Sequence, residues 1–422
     1  MTATGASMET SMSTCLNHRS PLWLAGLLSI SVVGCSALAR DDVASDAAAP
    51  VAIAATGLPA GPATREQVMR GRQLAITRDC GACHGGGANP AAEGWLAGKS
   101  GKDDATPLGP FRVWARNITP DDETGLGRIS ARRIFNALRY GLRPDTTADV
   151  EITSASPGEG NHPAKPDYLA PEMPWVYWRF MPDEDLWAIA AYLKHGLRPV
   201  SHRVPQSDAP PDLWASEYTL QKVGTHLLPP FPAQHEELRD PARRDQVLQG
   251  RALVASIGCA ACHGGAVHPG QDGWLSGARP GLQTFSEFQI GAFKTYPRNI
   301  TPDNATGIGR FSERQLFNAF RYGLRPGDTA DVDTSSATPG RGNHPASPKY
   351  LAPPMVWPSM RHLDDDQLWA IAAYLKTAVK PVRNRVKDSE GPPDFWASEY
   401  VPGKIGPIPA APFPTTNETA PR

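Results

Sequence analysis

A pair of cysteines followed directly by a histidine occurs twice in this chain. The two stretches are CGACH at Cys80–His84 and CAACH at Cys259–His263. Two thiols at this spacing can add across the vinyl groups of a porphyrin, and the next residue then lies beneath the iron as an imidazole ligand. The pattern therefore predicts two covalently bound haem c groups. The predicted attachment residues are Cys80, Cys83, Cys259 and Cys262, and the predicted proximal iron ligands are His84 and His263.

The cysteine count favours this interpretation over two others. Four of the six cysteines belong to the motifs, and the other two, Cys15 and Cys35, lie near the N-terminus. A zinc site built from the four motif cysteines would leave both adjacent histidines without a role. A thioredoxin-like redox pair would leave them unexplained as well.

The N-terminal region predicts export. An apolar run that begins at Pro21, PLWLAGLLSISVVG, has the length of a secretory h-region and is too short to span a bilayer. It leads into VVGC, which ends at Cys35 and resembles a lipobox, and then into ALA at Ala37–Ala39, which fits an ordinary cleavage site. We expect the lipobox to be used, because it explains Cys35 as the lipidated first residue of a periplasmic protein tethered to a membrane. No later segment is apolar enough to predict a transmembrane helix.

The rest of the chain is an internal repeat. RNITPDDETGLGRISARRIFNALRYGLRP from Arg116 and RNITPDNATGIGRFSERQLFNAFRYGLRP from Arg298 are identical at 21 of 29 positions. The copies are offset by 179 residues at the cysteines and by 182 from Arg116 onward, so the second copy has three extra residues after Trp274. The predicted segments are a signal region at 1–35, a flexible tether at 36–62, a first domain at 63–228, a linker at 229–241, a second domain at 242–406 and a proline-rich tail at 407–422.

The repeated segments predict helices and no strands. ISARRIFNALRYG has Ser130 as a candidate N-cap and Gly141 at its end, and its counterpart has Ser312 and Gln315 in a capping-box pattern. PDEDLWAIAAYLKHG places apolar residues at the spacing of a buried helix face, namely Leu186, Ile189, Ala190 and Leu193. The predicted fold class is all-α, with two domains in tandem and long proline-rich loops. We expect the tail after Ile405 to be loose.

The repeat also indicates candidates for the sixth ligand of each iron. Among the eight methionines only Met173 and Met355 occupy matching positions, and among the histidines outside the motifs only His162 and His344 do. The choice is therefore between His/Met and bis-His ligation. We favour methionine, because both methionines lie in a proline-rich loop ahead of the last long helix, from which a thioether can reach the distal face of a haem. Core packing is the alternative role for the methionines, and a turn hydrogen bond or a propionate contact is the alternative for the histidines.

Other repeated residues have two candidate roles each. The tryptophans either pack on a porphyrin or belong to the core, and the arginines either pair with a haem propionate or lie on the surface. These residues are Trp95, Trp274, Trp175, Trp357, Arg116 and Arg298.

Together, CGACH, NITPDDETGLGRIS, ALRYGLRP, MPW and DEDLWAIAAYLK resemble the bacterial class I cytochrome c domain, especially its tandem form. The resemblance covers residues 64–200 and 243–382, and the second copy departs from it with MVW for MPW. It implies covalent haem c with Met173 and Met355 as distal ligands. Such tandem domains occur as dihaem electron carriers and as cytochrome subunits of periplasmic dehydrogenases of alcohols and sugars. Those subunits often carry three haems, whereas this chain has two motifs.

Charge narrows the list of partners. Forty-two basic and 43 acidic side chains give a net charge of −1, and no basic block is present, so we expect no nucleic-acid partner. We predict an exported dihaem electron-transfer protein without catalytic residues, working between a periplasmic dehydrogenase and the respiratory chain or a terminal oxidase. The alternative is a dihaem peroxidase-type enzyme, which needs two unlike haems and one iron with an open sixth position. The matched methionines disfavour that alternative.

Overall fold

The computed structural model describes residues 62–207, 210–279 and 286–421. The predicted signal region and nearly all of the predicted tether lie outside these residues. No helix in the described part of the chain is both long enough and apolar enough to cross a membrane.

The two copies have the same order of elements. In the first copy these are α1 Arg65–Thr77, α2 Cys80–His84, β1 Thr106–Leu108, β2 Phe111–Val113, α3 Ala131–Tyr140, α4 Trp175–Trp178, α5 Asp183–His195 and α6 Leu220–Val223. In the second copy they are α7 Arg244–Ile257, α8 Cys259–His263, β3 Phe288–Ile290, β4 Phe293–Thr295, α9 Glu313–Tyr322, α10 Trp357–Met360, α11 Asp365–Thr377 and α12 Pro402–Ile405. Short 3₁₀ turns occur at Lys102–Asp104, Pro211–Glu217, Pro241–Arg243, Pro326–Asp328 and Phe395–Glu399.

The predicted helix ends are confirmed. The Ser130 side chain accepts a hydrogen bond from the backbone of Arg133 at the start of α3, and Gly141 ends that helix with a φ of 72°. At the start of α9, Ser312 and Gln315 form the predicted reciprocal capping box. The local sequence therefore fixes the position of both helices.

The core of each copy is the crossing of its first and last long helices. The predicted buried face of α5 is confirmed, because its apolar residues are at most 5% exposed and pack toward α1. A glycine makes the close crossing possible: a Cβ atom at Gly71 would overlap the backbone carbonyl of Ala188, and one at Gly250 would overlap that of Ala370. The same two-helix core thus supports both motifs.

The expectation of a fold without strands is wrong in detail, because each copy contains a two-stranded antiparallel hairpin. Thr106 pairs with Val113 in the first hairpin, and Phe288 pairs with Thr295 in the second. Gly109 has a φ of 59° and Gly291 a φ of 58° at the first turn position, which suits a two-residue hairpin loop. Strands of three residues are too short to show the alternation that predicts a strand.

The expectation of a loose tail is also wrong. Asn417 donates from its side-chain amide to the carbonyl oxygens of Pro90 and Ala92, at 2.8 and 2.7 Å. The Glu418 side chain is fully buried. The tail of the second copy therefore lies along the first copy, a long-range contact that proline content does not reveal.

Candidate haem-binding sites

Each motif histidine is anchored through one ring nitrogen. Nδ1 of His84 lies 2.6 Å from the carbonyl oxygen of Arg116, and Nδ1 of His263 lies 2.7 Å from that of Arg298. A carbonyl oxygen only accepts, so Nδ1 is the protonated nitrogen and Nε2 keeps its lone pair for a metal. Burial lowers the pKa of both imidazoles, which also favours the neutral, ligating form.

The acceptor carbonyls belong to the repeated RNIT segments, which are held by asparagine side chains. The Asn117 amide donates to the carbonyl of Val200 at 2.7 Å and its oxygen accepts from Thr119. Asn299 makes the same bonds to Val382 and Thr301 in the second copy. Sequence reasoning gave this asparagine no role, although its identity in both copies was a usable signal.

The arginines of these segments act through their backbones. The Arg116 side chain is exposed and donates to Gln206, and that of Arg298 is exposed and pairs with Asp388 at 2.7 Å. Their guanidinium groups are thus on the surface, which was the alternative role. The carbonyl function was not predicted, because a backbone acceptor leaves no trace in residue type.

The two attachment cysteines of the first copy differ in exposure. Cys80 is buried within the core cluster of its copy, and Cys83 is exposed. Burial raises the pKa of the thiols of Cys80 and Cys259 to about 12. These thiols are therefore neutral and lie against apolar side chains, where a thioether to a porphyrin costs no buried charge.

The repeated methionines lie in the loops before α4 and α10. Met173 and Met355 are partly exposed and pack at the margin of the core clusters that also contain or contact the motif cysteines. Met181 and Met360, by contrast, are 2% and 1% exposed and lie inside the core. The matched methionines thus lie at the edge of the core and not inside it.

Each methionine loop is fixed to the end of a helix. Leu169 donates from its backbone to the carbonyl of Gly141 at 2.7 Å, and Leu351 donates to that of Gly323 at 2.8 Å. A Cβ atom at Gly141 would overlap the ring of Trp175, which follows Met173 by two residues. Because residue 141 is a glycine, the ring of Trp175 can pack against it and hold the loop in place.

The repeated histidines are buried in aromatic clusters. His162 lies edge-on to Tyr140 at 5.9 Å between ring centroids, and His344 lies in the same way against Tyr322. Nδ1 of His344 lies 3.0 Å from the carbonyl of Ser336 in its own loop. The structure therefore places both histidines in loop and aromatic contacts.

Buried donors next to the methionine loops suit a haem. The indole N–H of Trp175 and the hydroxyl of Tyr218 are buried close to each other, and neither forms a hydrogen bond of good geometry with a described residue. Trp357 and Tyr400 repeat this arrangement in the second copy. Buried donors are normally satisfied, and haem propionates would accept from them. The tyrosines were missed by sequence reasoning, although they lie in the repeated WASEY.

Comparison with known proteins identifies the fold family. The family model for cytochrome c matches residues 68–196 and 247–378. The chain belongs to the cytochrome c family. Two cytochrome c domains imply covalently bound haem c at the two motifs, in agreement with the anchored histidines.

Curated relatives share the tandem region. The gluconate 2-dehydrogenase cytochrome c subunit of Pantoea cypripedii is 30% identical over 321 residues, covering 74% of this chain and 59% of the relative. The alcohol dehydrogenase (quinone) cytochrome c subunit of Gluconacetobacter polyoxogenes is 28% identical over 340 residues, covering 80% and 62%. The fructose dehydrogenase cytochrome subunit of Gluconobacter japonicus is 26% identical over 321 residues, covering 75% and 53%. The chain spans about three fifths of the length of the first of these relatives.

The two cytochrome c domains meet through equivalent elements. Helix α4 of the first domain contacts α7 of the second, and α10 of the second contacts α1 of the first. The ring of Tyr177 packs on Gly258, since a Cβ atom at Gly258 would be 3.0 Å from the ring. On the other side of the contact, Ser359 donates a hydrogen bond to Asp79. Gly258 and Asp79 each directly precede an attachment cysteine, so both motifs lie at the domain contact.

A buried arginine lies between the two motifs. Arg78 is 8% exposed and donates to the Ser256 hydroxyl across the contact at 3.3 Å. Burial lowers its pKa to about 10. Arg78 lies two residues before Cys80 and Ser256 three residues before Cys259, so this bond joins the segments that lead into the two motifs.

Proposed function

We propose that this chain is an exported cytochrome with two covalent haem c groups that passes single electrons between a periplasmic dehydrogenase and the respiratory chain. The observation that carries the proposal is the position of both attachment motifs at the contact between the domains, where Arg78 donates to Ser256 at 3.3 Å. Groups attached at Cys80 and Cys259 would have their thioether edges near one contact between the domains. Electron exchange within one chain would then not require docking between two molecules.

When bound, each haem supplies a one-electron couple and needs no bound substrate. The protein holds the haem groups, orients their ligands and shields them from water. The Arg116 and Arg298 carbonyls orient the imidazoles of His84 and His263, and the methionine loops would supply the sixth ligand of each iron. The ring of Tyr177, 9% exposed, excludes water from the contact between the domains.

We propose Met173 and Met355 as the distal ligands. Their partial exposure at the edge of the core supports this role, as does the seating of each loop by a tryptophan and a glycine. His162 and His344 are held by aromatic and loop contacts instead. A methionine ligand favours ferrous iron relative to a second histidine and occupies the position where peroxide would bind.

The partner assignment draws on the relatives. Those named above are cytochrome subunits of gluconate, alcohol and fructose dehydrogenases, and none of them is described as a peroxidase. A subunit of a similar dehydrogenase complex is therefore the role that we propose. Export and lipidation at Cys35 remain part of the proposal. An acylated N-terminus at Cys35 in the mature protein, found by mass spectrometry, would support it, whereas an unmodified N-terminus at Arg40 would refute the lipid anchor.

The haem content tests the core of the proposal. We expect two haems per chain that survive extraction with acidified acetone. Changing Cys80 and Cys83 to alanine should leave one haem, and the matched change of Cys259 and Cys262 should leave the other. One or no haem on the unmodified protein would refute the dihaem assignment.

The methionine ligands are tested by the weak near-infrared band of sulfur-to-iron charge transfer. The oxidised protein should show the band at an intensity for two haems, and Met173→Ala should remove half of it. Met181→Ala is the matched control, because this buried methionine lies eight positions further on and should leave the band unchanged. A charge-transfer band with the intensity expected for one haem, together with peroxide turnover by the unmodified protein, would establish the peroxidase alternative instead.

A further inference from the structure

Two matched segments follow the two domains in the chain. We call residues 225–239 the first arm and residues 407–421 the second arm. Phe231 corresponds to Phe413 and Glu236 to Glu418 at the 182-residue offset of the repeat. The first arm joins the domains and lies on the second domain, where His235 and Glu237 bond to the backbone near the end of α11.

The second arm crosses back to the first domain. Arg198 donates from its backbone to the carbonyl of Asn417 at 2.9 Å, and Thr419 donates to that of Gly196 at 3.0 Å. The guanidinium of Arg72 lies over the ring of Phe413, as that of Arg251 lies over Phe231. Each domain therefore holds the arm that follows the other domain.

Each arm buries one glutamate in the domain that receives it. Glu418 accepts from Arg72 Nε at 2.6 Å, with side chains 0% and 7% exposed, and Glu236 accepts from Arg251 Nε at 2.7 Å. Arg72 and Glu418 are 346 positions apart, whereas Arg251 and Glu236 are 15 apart. A buried arginine without this partner would be an uncompensated charge, so the second arm supplies the counter-charge that Arg72 needs in the folded domain.

A hydrogen-bond chain connects the glutamate to the haem motif. The Tyr192 hydroxyl donates to Glu418 at 2.6 Å and accepts from the indole N–H of Trp95 at 2.9 Å. Burial, with Glu418 alongside, raises the pKa of Tyr192 well above its usual value, so the hydroxyl keeps the proton that it donates. The second domain repeats the chain with Glu236, Tyr374 and Trp274.

The indole of Trp95 lies against the motif itself. A Cβ atom at Gly81, inside Cys80–His84, would overlap the Trp95 ring, and one at Gly86 would be 2.8 Å from it. The backbone just beyond the tryptophan returns to the motif, because Gly98 donates to the carbonyl of His84 at 2.7 Å. A displacement of Trp95 would therefore act directly on the segment that presents His84.

We propose that the second arm is part of the first haem-binding site and that Glu418 is a positioning residue for the Cys80–His84 motif, acting through Tyr192 and Trp95. This proposal rests on the haem attachment proposed above. It makes the haem of the first domain dependent on a residue that follows the second domain. The second domain repeats the chain from Glu236 to Trp274, and Gly277 donates to the carbonyl of His263 at 2.7 Å, so we expect Glu236 of the first arm to position the second motif.

The test compares Glu418→Gln, Glu236→Gln and Thr416→Ala in the full-length haem protein. Thr416 is an exposed residue of the same arm and serves as the control. Amide hydrogen exchange is measured in peptides covering residues 80–98 and 259–277. Glu418→Gln should speed exchange roughly tenfold or more in 80–98 alone, because local opening governs exchange. Glu236→Gln should do so in 259–277 alone, and Thr416→Ala in neither.

Redox titration provides a readout that general destabilisation would not give. Glu418→Gln should shift the potential of one haem and leave the other unchanged, and Glu236→Gln should shift the other one.

Unchanged exchange in 80–98, or equal changes in both regions, would overturn the proposal. If Glu418→Gln does not accumulate, Glu418→Asp applies the same criteria with the charge retained and the side chain shortened. Failure of the haem assignment itself would be seen separately, as absence of covalent haem from the unmodified protein.

Discussion

The two domains bind their motif histidines in the same way but contact each other through different residues. At equivalent positions, the second domain presents Gly258 to Tyr177, whereas the first presents Asp79 to Ser359. On one side of the contact an aromatic ring packs on a glycine, and on the other a partly buried carboxyl group accepts a hydrogen bond from a hydroxyl. Duplicated sites can thus keep one chemistry while their surroundings diverge, and the difference lies one residue before each attachment cysteine.

The largest expected effect comes from the aromatic side of the contact. Tyr177→Ala should lower the free energy of unfolding by about 3–5 kcal/mol, because it removes a buried aromatic ring. Denaturant unfolding measures this loss. Ser359→Ala at the equivalent position should cost only about 1 kcal/mol, the value of one hydrogen bond. Equal costs for the two variants would show that the contact is not asymmetric.

The carboxyl side should give a pH dependence. Burial raises the pKa of Asp79 to about 6, while the bond from Ser359 and the charge of Lys99 act in the opposite direction. A raised pKa means that the folded state binds the proton more tightly, so this stabilisation is full below about pH 4 and lost as the pH rises through about 6. The change should be on the order of 3 kcal/mol, at 1.36 kcal/mol per pKa unit.

Comparison of the unmodified protein with Asp79→Asn isolates the contribution of Asp79 to the pH dependence of stability. Asparagine is suitable because it tolerates the left-handed φ of 59° at this position. Denaturant unfolding from about pH 4 to about pH 7 should show a smaller decline in stability for the variant. Parallel curves for the two proteins would assign the pH dependence to other groups.

The methionine loops should behave alike in the two domains. Gly141→Ala and Gly323→Ala should each cost about 2 kcal/mol, because each combines a left-handed φ with overlap of a new Cβ atom and a tryptophan ring. Each should also weaken the charge-transfer band of one haem. A response from only one of the two variants would show that the loops are not equivalent.

The smallest effect concerns helix caps. Ser130→Ala and Ser312→Ala should each cost about 1 kcal/mol in thermal or denaturant unfolding. Ser312 should cost slightly more, because it is also part of a capping box with Gln315 and donates to Asp331. A larger loss for Ser130→Ala would contradict this order.

Sequence was sufficient where a feature is local. The motifs, the caps at Ser130 and Ser312 and the buried face of α5 depend on neighbouring residues, and the repeat allowed each to be checked against a second copy. The hairpins were missed because strands of three residues show no periodicity. The carbonyls of Arg116 and Arg298 were missed because every residue type has a carbonyl.

The arms were missed for a different reason. Phe413 and Glu418 lie in a proline-rich stretch whose composition predicts a loose segment, and their partners are in the other domain. The match of Glu418 with Glu236 at the repeat offset was nevertheless visible in the sequence. Repeat correspondence extended past the domain boundaries would have indicated an ordered segment, although not the domain that receives it.

The exchanged arms impose an order on biosynthesis. The first domain is synthesised first, but Glu418, which pairs with Arg72 of that domain, follows the entire second domain in the chain. Glu236, which pairs with Arg251 of the second domain, lies in the linker and is therefore synthesised before the helices of that domain. The domain translated first is therefore completed last, and its motif is the last to acquire its full set of supporting contacts.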